Sequence, residues 1–263
     1  MLSSLALTAI RCVAFVAFLC AAGTAAAQSP PTVAAAADLQ FAVEEVAARF
    51  TADTGRTVRL TFGSSGNFAR QIEQGAPFAL FMSADEDLVF RVADAGRTVD
   101  RGTLYAIGRI VLMAPHSSTL PVDGELKGLA AALAAGRIKR FAIANPEHAP
   151  YGKRAEEALK HAGLWEAVKP HLVLGENVSQ AAQFATAGNA DGGIIAYSLA
   201  LAPRVAEKGR FVLIPQGWHQ PLKQRMVLLK GADETARAFY EYLQKPTART
   251  ILARYGFALP GEQ

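Results

Sequence analysis

The sequence predicts an α/β protein of two lobes, each a mostly parallel sheet flanked by helices. Three observations carry that expectation. Short apolar runs alternate with longer segments of helical period, the pattern of strands covered by crossover helices. The 263 residues hold more such units than one compact core uses. No Pro/Gly-rich linker divides the chain, so the lobes must be joined by strands that continue from one into the other.

The elements follow in order. After Pro30-Pro31, TVAAAA (32–37) reads as a buried strand, and Leu39, Val43, Val46 and Phe50 then recur at spacings of three and four until Gly55 ends the helix. TVRLTF (57–62) alternates as a strand, NFARQIEQG (67–75) is a short helix, FALFMS (78–83) a strand, and ADEDLVFRVADAG (84–96) a helix closed by Gly. The second half repeats the rhythm with strands RIVLMAP (109–115), FAIANP (141–146), HLVLG (171–175) and GGIIAY (192–197), separated by helical segments near 126–135, 153–162 and 178–187. FVLIP (211–215), RMVLLK (225–230) and two helical stretches near 232–243 and 246–254 complete the chain. The crossings between lobes fall at Ile107 to Met113 and within 203–225. One lobe is then 28–108 with about 212–263, the other about 109–211, with a ligand cleft between them.

Mean hydropathy is positive, +0.16, and the apolar excess lies at the front. Residues 1–27 carry one Arg and no acid, an unbroken apolar run from Cys12 to Ala22, and Ala25-Ala26-Ala27 before Gln28. A run this short, below the ~20 residues of a membrane span and followed by an A-x-A end, reads as a secretory signal peptide cleaved after Ala27. Leu19 stands where lipoprotein processing at Cys20 needs a small residue. Cleavage removes both cysteines and one Arg, taking the formal net charge from +4 to +3. The mature chain therefore has neither a disulfide nor a thiol nucleophile. Its Lys and Arg form no block and interleave with no aromatic run, which excludes a nucleic-acid footprint.

Small polar and glycine residues fall where strands give way to helices. The four such turns are Ala36-Ala37-Asp38-Leu39, Gly63-Ser64-Ser65-Gly66-Asn67, Ala149-Pro150-Tyr151-Gly152 and Glu176-Asn177-Val178-Ser179. Ligands of parallel α/β sheets bind at these strand ends, where helix N-termini present unpaired N–H groups and a positive partial charge. Each turn can aim main-chain N–H groups at an anion, with Ser64 and Ser65 adding hydroxyls. One such turn alone is ordinary helix capping; convergence of several would make a site.

The segments GSSGNFARQIEQGAPFALFMSADE (63–86), YAIGRIVLMAP (105–115), AIANPEHAPYGKRAEEAL (142–159) and GENVSQAAQFATAGNADGGIIAYSLA (175–200) resemble the ModA-type periplasmic molybdate-binding proteins of ABC importers. The likeness runs in order through the whole mature chain. It implies a periplasmic-binding fold with two interlobe crossings, a monomer, and a tetrahedral oxyanion, molybdate or tungstate, held by neutral donors. It implies no cofactor, no enzymatic activity, and molybdenum present only inside the bound oxyanion. The partners it implies are an inner-membrane permease and its ATPase. By position, the first-lobe contacts fall on Ala37, Asp38, Ser64 and Ser65, and the second-lobe contacts on the backbone N–H groups of Tyr151 and Val178. Asn177 and Tyr197 are candidate cleft-wall residues.

Asp38 departs from the hydroxyl or amide that many such proteins offer in the first turn. A carboxylate about 4 Å from a dianion is repelled by several kcal/mol at an effective dielectric near 20. Three readings stay open. Asp38 turns away, caps the helix that begins at Leu39 and offers only its N–H; or it points inward, protonated, and donates; or it accepts a proton from an oxyanion such as hydrogen phosphate, moving specificity away from molybdate.

A secreted serine hydrolase is the alternative of another class. Its elbow would read G-x-S-x-G, but Asn67 stands at the last place. His116, His148, His161, His171 and His219 lack any metal-ligand spacing and read as scattered surface or core residues. Glu44-Glu45, Asp85-Glu86-Asp87 and Glu156-Glu157 read as helix starts or solvated faces.

Overall fold

The computed structural model of the protein describes residues 29–261; the leader expected over 1–27 lies outside them. The first sheet is built from β1 (Thr32–Ala36), β2 (Arg59–Gly63), β3 (Leu80–Ser83) and β4 (Thr103–Gly108). The second is built from β5 (Ile110–Pro115), β6 (Phe141–Ala144), β7 (Leu172–Gly175), β8 (Gly192–Ala196) and β9 (Gly209–Leu213), and β10 (Leu222–Leu228) returns to the first. Strand order is β2-β1-β3-β10-β4 in one sheet and β7-β6-β8-β5-β9 in the other.

Both sheets are mixed. β1 runs parallel to β2 and β3, and β6 to β7 and β8, whereas β10 is antiparallel to β3 and β4 and β5 is antiparallel to β8 and β9. The crossings explain this. Strands that end at the cleft share one direction, and the strand that each sheet receives from the other lobe starts at the cleft and runs away from it. The chain leaves the first sheet at Gly108, enters the second at Ile110 with Arg109 alone between them, and returns between Leu213 and Leu222. β4 is a strand that the apolar pattern did not give, because it follows Gly102, at φ +69°, with no clean alternation of its own.

The helices are α1 (Gln40–Thr54), α2 (Ser65–Glu73), α3 (Glu86–Asp94), α4 (Lys127–Ala134), α5 (Pro150–His161), α6 (Trp165–Val168), α7 (Val178–Thr186), α8 (Tyr197–Ala200), α9 (Pro203–Ala206), α10 (Glu234–Tyr242) and α11 (Pro246–Arg254). Leu39 and the α1 stripe Val43, Val46 and Phe50 are fully buried. Phe50 meets Phe239 and Tyr242 of α10 edge to face at 5.1 and 5.4 Å, which ties the C-terminal helices to the first sheet. Each such side chain stabilises the lobe by roughly 1.5–3 kcal/mol. Period-two alternation divides the first sheet's two faces: Val33, Ala35, Leu80 and Met82 pack on one side, and Ala34, Phe81 and Val227 on the other with Phe68 and Ile72 of α2. With both faces covered, the strand ends are where polar chemistry can be reached.

Candidate functional site

All four turns converge. Ala36, Ala37 and Asp38 from the end of β1, Gly63, Ser64 and Ser65 from the end of β2, Ala149, Pro150 and Tyr151 at the start of α5, and Asn177 and Val178 at the start of α7 line one small cavity between the lobes. Its free volume, about 10 Å³, is far below the roughly 300–1,000 Å³ of drug-sized ligand sites. No Lys, Arg or His lines it. First-turn N–H groups that have no partner within their helices supply positive partial charge there.

Local sequence places each donor. Pro150 occupies the first turn of α5, where its missing N–H loses nothing. Gly152 lets that turn press against β6, since a Cβ there would overlap the Ala144 carbonyl. Asn177 caps α7, its Oδ1 accepting from the Gln180 N–H at 3.0 Å, and so holds the Val178 N–H in the first turn. Ser65 Oγ accepts from the Ala84 N–H at 3.0 Å, which leaves its own hydrogen free for the cavity.

Ser64 has a different role from the donor expected of it. Its hydroxyl donates to the His148 carbonyl at 2.5 Å, and the Gly66 N–H donates to the same oxygen at 3.0 Å. This is a latch between lobes. Ser179 Oγ to the Ala37 carbonyl at 2.8 Å and Ser198 Oγ to the Asp38 carbonyl at 2.8 Å add two more. His148, read from the sequence as an ordinary histidine, also places Nδ1 3.0 Å from Ser64 Oγ and Nε2 3.5 Å from Glu176 Oε2. The order serine, histidine, glutamate resembles a hydrolase triad, but the Ser64 proton is already given to a carbonyl. Ser64 Oγ therefore has no hydrogen left to give the imidazole.

Asp38 overturns the capping reading. No side-chain hydrogen bond caps the turn that contains it, and it is 1% exposed. Its Oδ2 accepts from Tyr151 Oη at 3.0 Å and from Gln224 Nε2 at 2.6 Å, while Tyr105 Oη donates to Gln224 Oε1 at 2.8 Å. Its Oδ1 is buried with no hydrogen-bond partner. Burial pushes the carboxyl up to about 6, against the opposing pull of the Gln224 and Tyr151 hydrogen bonds. Burial, reinforced by the charge of Asp38, pushes both Tyr105 and Tyr151 well above the usual phenol range, so both remain donors. Gly108 makes room for this network, as a Cβ there would overlap Tyr151 Oη.

Tyr197 does not line the cavity. Its ring packs on Phe211, under the Arg109 guanidinium, and against Gly256 at the crossing. Gln224, Tyr105, Gly108 and His148 are the site residues that sequence reasoning missed. Gln224 lies 186 residues from Asp38, and no local spacing links such positions.

A closed pair of lobes around a small, donor-lined cavity defines a solute-binding protein. Residues 31–258 match the family model described as bacterial extracellular solute-binding protein. The chain is 39% identical to the molybdate-binding protein ModA of Rhodobacter capsulatus over 88% of this chain and 89% of that one. It is 35% identical to ModA of Escherichia coli K12, over 92% and 94%. The solved periplasmic molybdate-binding protein of Azotobacter vinelandii superposes with a TM-score of 0.80 at 31% identity, covering 88% of this chain and 99% of that one. The chain belongs to the bacterial extracellular solute-binding family, within its ModA branch.

Proposed function

We propose that this protein is the periplasmic solute-binding component of an ABC importer, and that it binds a tetrahedral oxyanion, molybdate or its near-equivalent tungstate. The observation that carries this reading is the convergence of four first-turn N–H sets from two lobes on one small cavity without a cation. Ser65 and the main-chain N–H groups of Ala37, Asp38, Tyr151 and Val178 contact the anion's oxygens, and no protein atom ligates the molybdenum. The ModA relatives support the choice of molybdate. The closed lobes, acting as a monomer, present their joined faces to an inner-membrane permease and its ATPase, and the leader sends the chain to the periplasm. No bond of the ligand is made or broken.

Phosphate is the second reading, favoured by one observation: the unpartnered Asp38 Oδ1 is an acceptor for the proton of hydrogen phosphate. Calorimetric titration of the mature protein with molybdate, tungstate, sulfate and phosphate separates the two. Saturable molybdate and tungstate binding at one site, with no phosphate heat, is the expected result. A phosphate response without a molybdate response overturns the first reading and establishes the second.

A further inference from the structure

Asp38 lines the cavity, and its Oδ1 is a buried oxygen without a hydrogen-bond partner. Its sister Oδ2 already takes two hydrogen bonds, from Tyr151 and Gln224. We propose that Asp38 holds the anion as a neutral carboxylic acid, its proton on Oδ1 and donated to an anion oxygen, so that each dianion bound brings one proton into the protein. The proposal rests on the oxyanion reading and deepens it.

The geometry leaves the proton one place to sit. Both acceptor directions of Oδ2 are occupied by an O–H and an N–H donor, so a proton on that oxygen would face another hydrogen. On Oδ1 it meets no competing donor, in a residue that lines the cavity. A carboxylate there would bring like charge against a dianion in a desolvated space, and molybdate carries no proton to share. The groups packed around Asp38 do not offset its charge. Tyr151 approaches from α5, Tyr105 from β4 behind Gln224 of β10, and Ser198 from α8 on the main-chain carbonyl; both phenols stay protonated. His148 and Glu176 stand behind Ser64 and do not line the cavity. The free carboxyl titrates at about 6, and an adjacent dianion raises it further.

Three consequences are measurable in the intact mature protein with molybdate and with sulfate. Calorimetry at pH 7.5 in buffers of different ionisation enthalpy should record an uptake of about one proton per anion bound, falling towards zero at pH 5, where the acid is already formed. The molybdate Kd should weaken about tenfold per pH unit between pH 7 and 8.5. Asp38→Asn places an amide donor at Oδ1 while its carbonyl keeps Tyr151 and Gln224, so it should lose both the proton uptake and the pH slope, and should bind more tightly than wild type at pH 8.5. Anion binding without proton uptake overturns the proposal and leaves the oxyanion reading standing, as does a pH slope that survives in Asp38→Asn. Proton-coupled binding of sulfate in preference to molybdate supports the proposal and overturns the choice of molybdate. No binding of either anion at any pH overturns both.

Discussion

The first lobe and the second lobe meet the cavity with different chemistry. The first brings the side chains of Asp38 and Ser65, each accepting a hydrogen bond from a neighbouring donor. The second brings backbone at the starts of α5 and α7, while the Tyr151 phenol crosses to reach Asp38. On the proposed reading, substitutions in the first lobe alter the anion's contacts directly. Those in the second act on where main-chain N–H groups stand and on whether the lobes close. The Tyr151–Asp38 hydrogen bond runs between the two lobes.

The difference can be broken most forcefully at Gly66. A Cβ there would overlap the His148 carbonyl oxygen across the interface, so Gly66→Ala should fold normally, stay open, and lose about a thousandfold in molybdate affinity, roughly 4 kcal/mol. Calorimetry for the affinity and small-angle scattering for closure check it, and an unchanged compaction on adding molybdate would show that the latch is dispensable.

The next effect concerns stability. Asp38 keeps its proton to about pH 6 when folded, against 3.8 as its ordinary value. Between pH 4 and 6 the folded state binds more protons than the unfolded one. The contribution of Asp38 is thus fully present below about pH 4 and lost as pH rises through about 6, a change on the order of 3 kcal/mol. Asp38→Asn lacks this titration, so anion-free wild type should lose that much stability relative to the variant between pH 4 and 7, followed by denaturant unfolding.

Ser65→Ala removes a hydrogen bond to a charged ligand and orphans the Ala84 N–H; affinity should fall by ~1.5–3 kcal/mol in the same titration. If affinity holds, Ser65 does not face the anion. Asn177→Ala gives the smallest effect, loss of a helix cap worth about 1 kcal/mol of thermal stability, with a few-fold weaker binding as the Val178 N–H loosens. A larger loss of affinity than of stability would place the Asn177 side chain itself on the anion.

Much of this is legible in the sequence alone. The apolar spacing of Leu39, Val43, Val46 and Phe50 is a buried helical face, and the turns at Asp38, Ser65, Tyr151 and Val178 do meet at one cavity. Their legibility has a cause: strand-end turns carry local signals, small residues and caps, that helix and strand geometry impose. Direction of β5 and β10 was not legible, because antiparallel insertion follows from which lobe a strand comes from. Nor was the role of Ser64, whose hydroxyl is spent on a carbonyl 84 residues away.

By itself the sequence determined the α/β class, the strand-to-helix turns that supply unpaired N–H groups, and the presence of an acid, Asp38, in the first of them. Period and capping are short-range properties, written in neighbouring residues. Only the tertiary structure decided what that acid does. Tyr151 and Gln224 reach it from two other elements with Tyr105 behind Gln224 on a third, and their packing removes water from around the carboxyl. Desolvation depends on everything that surrounds a group, whereas a sequence records only what precedes and follows it.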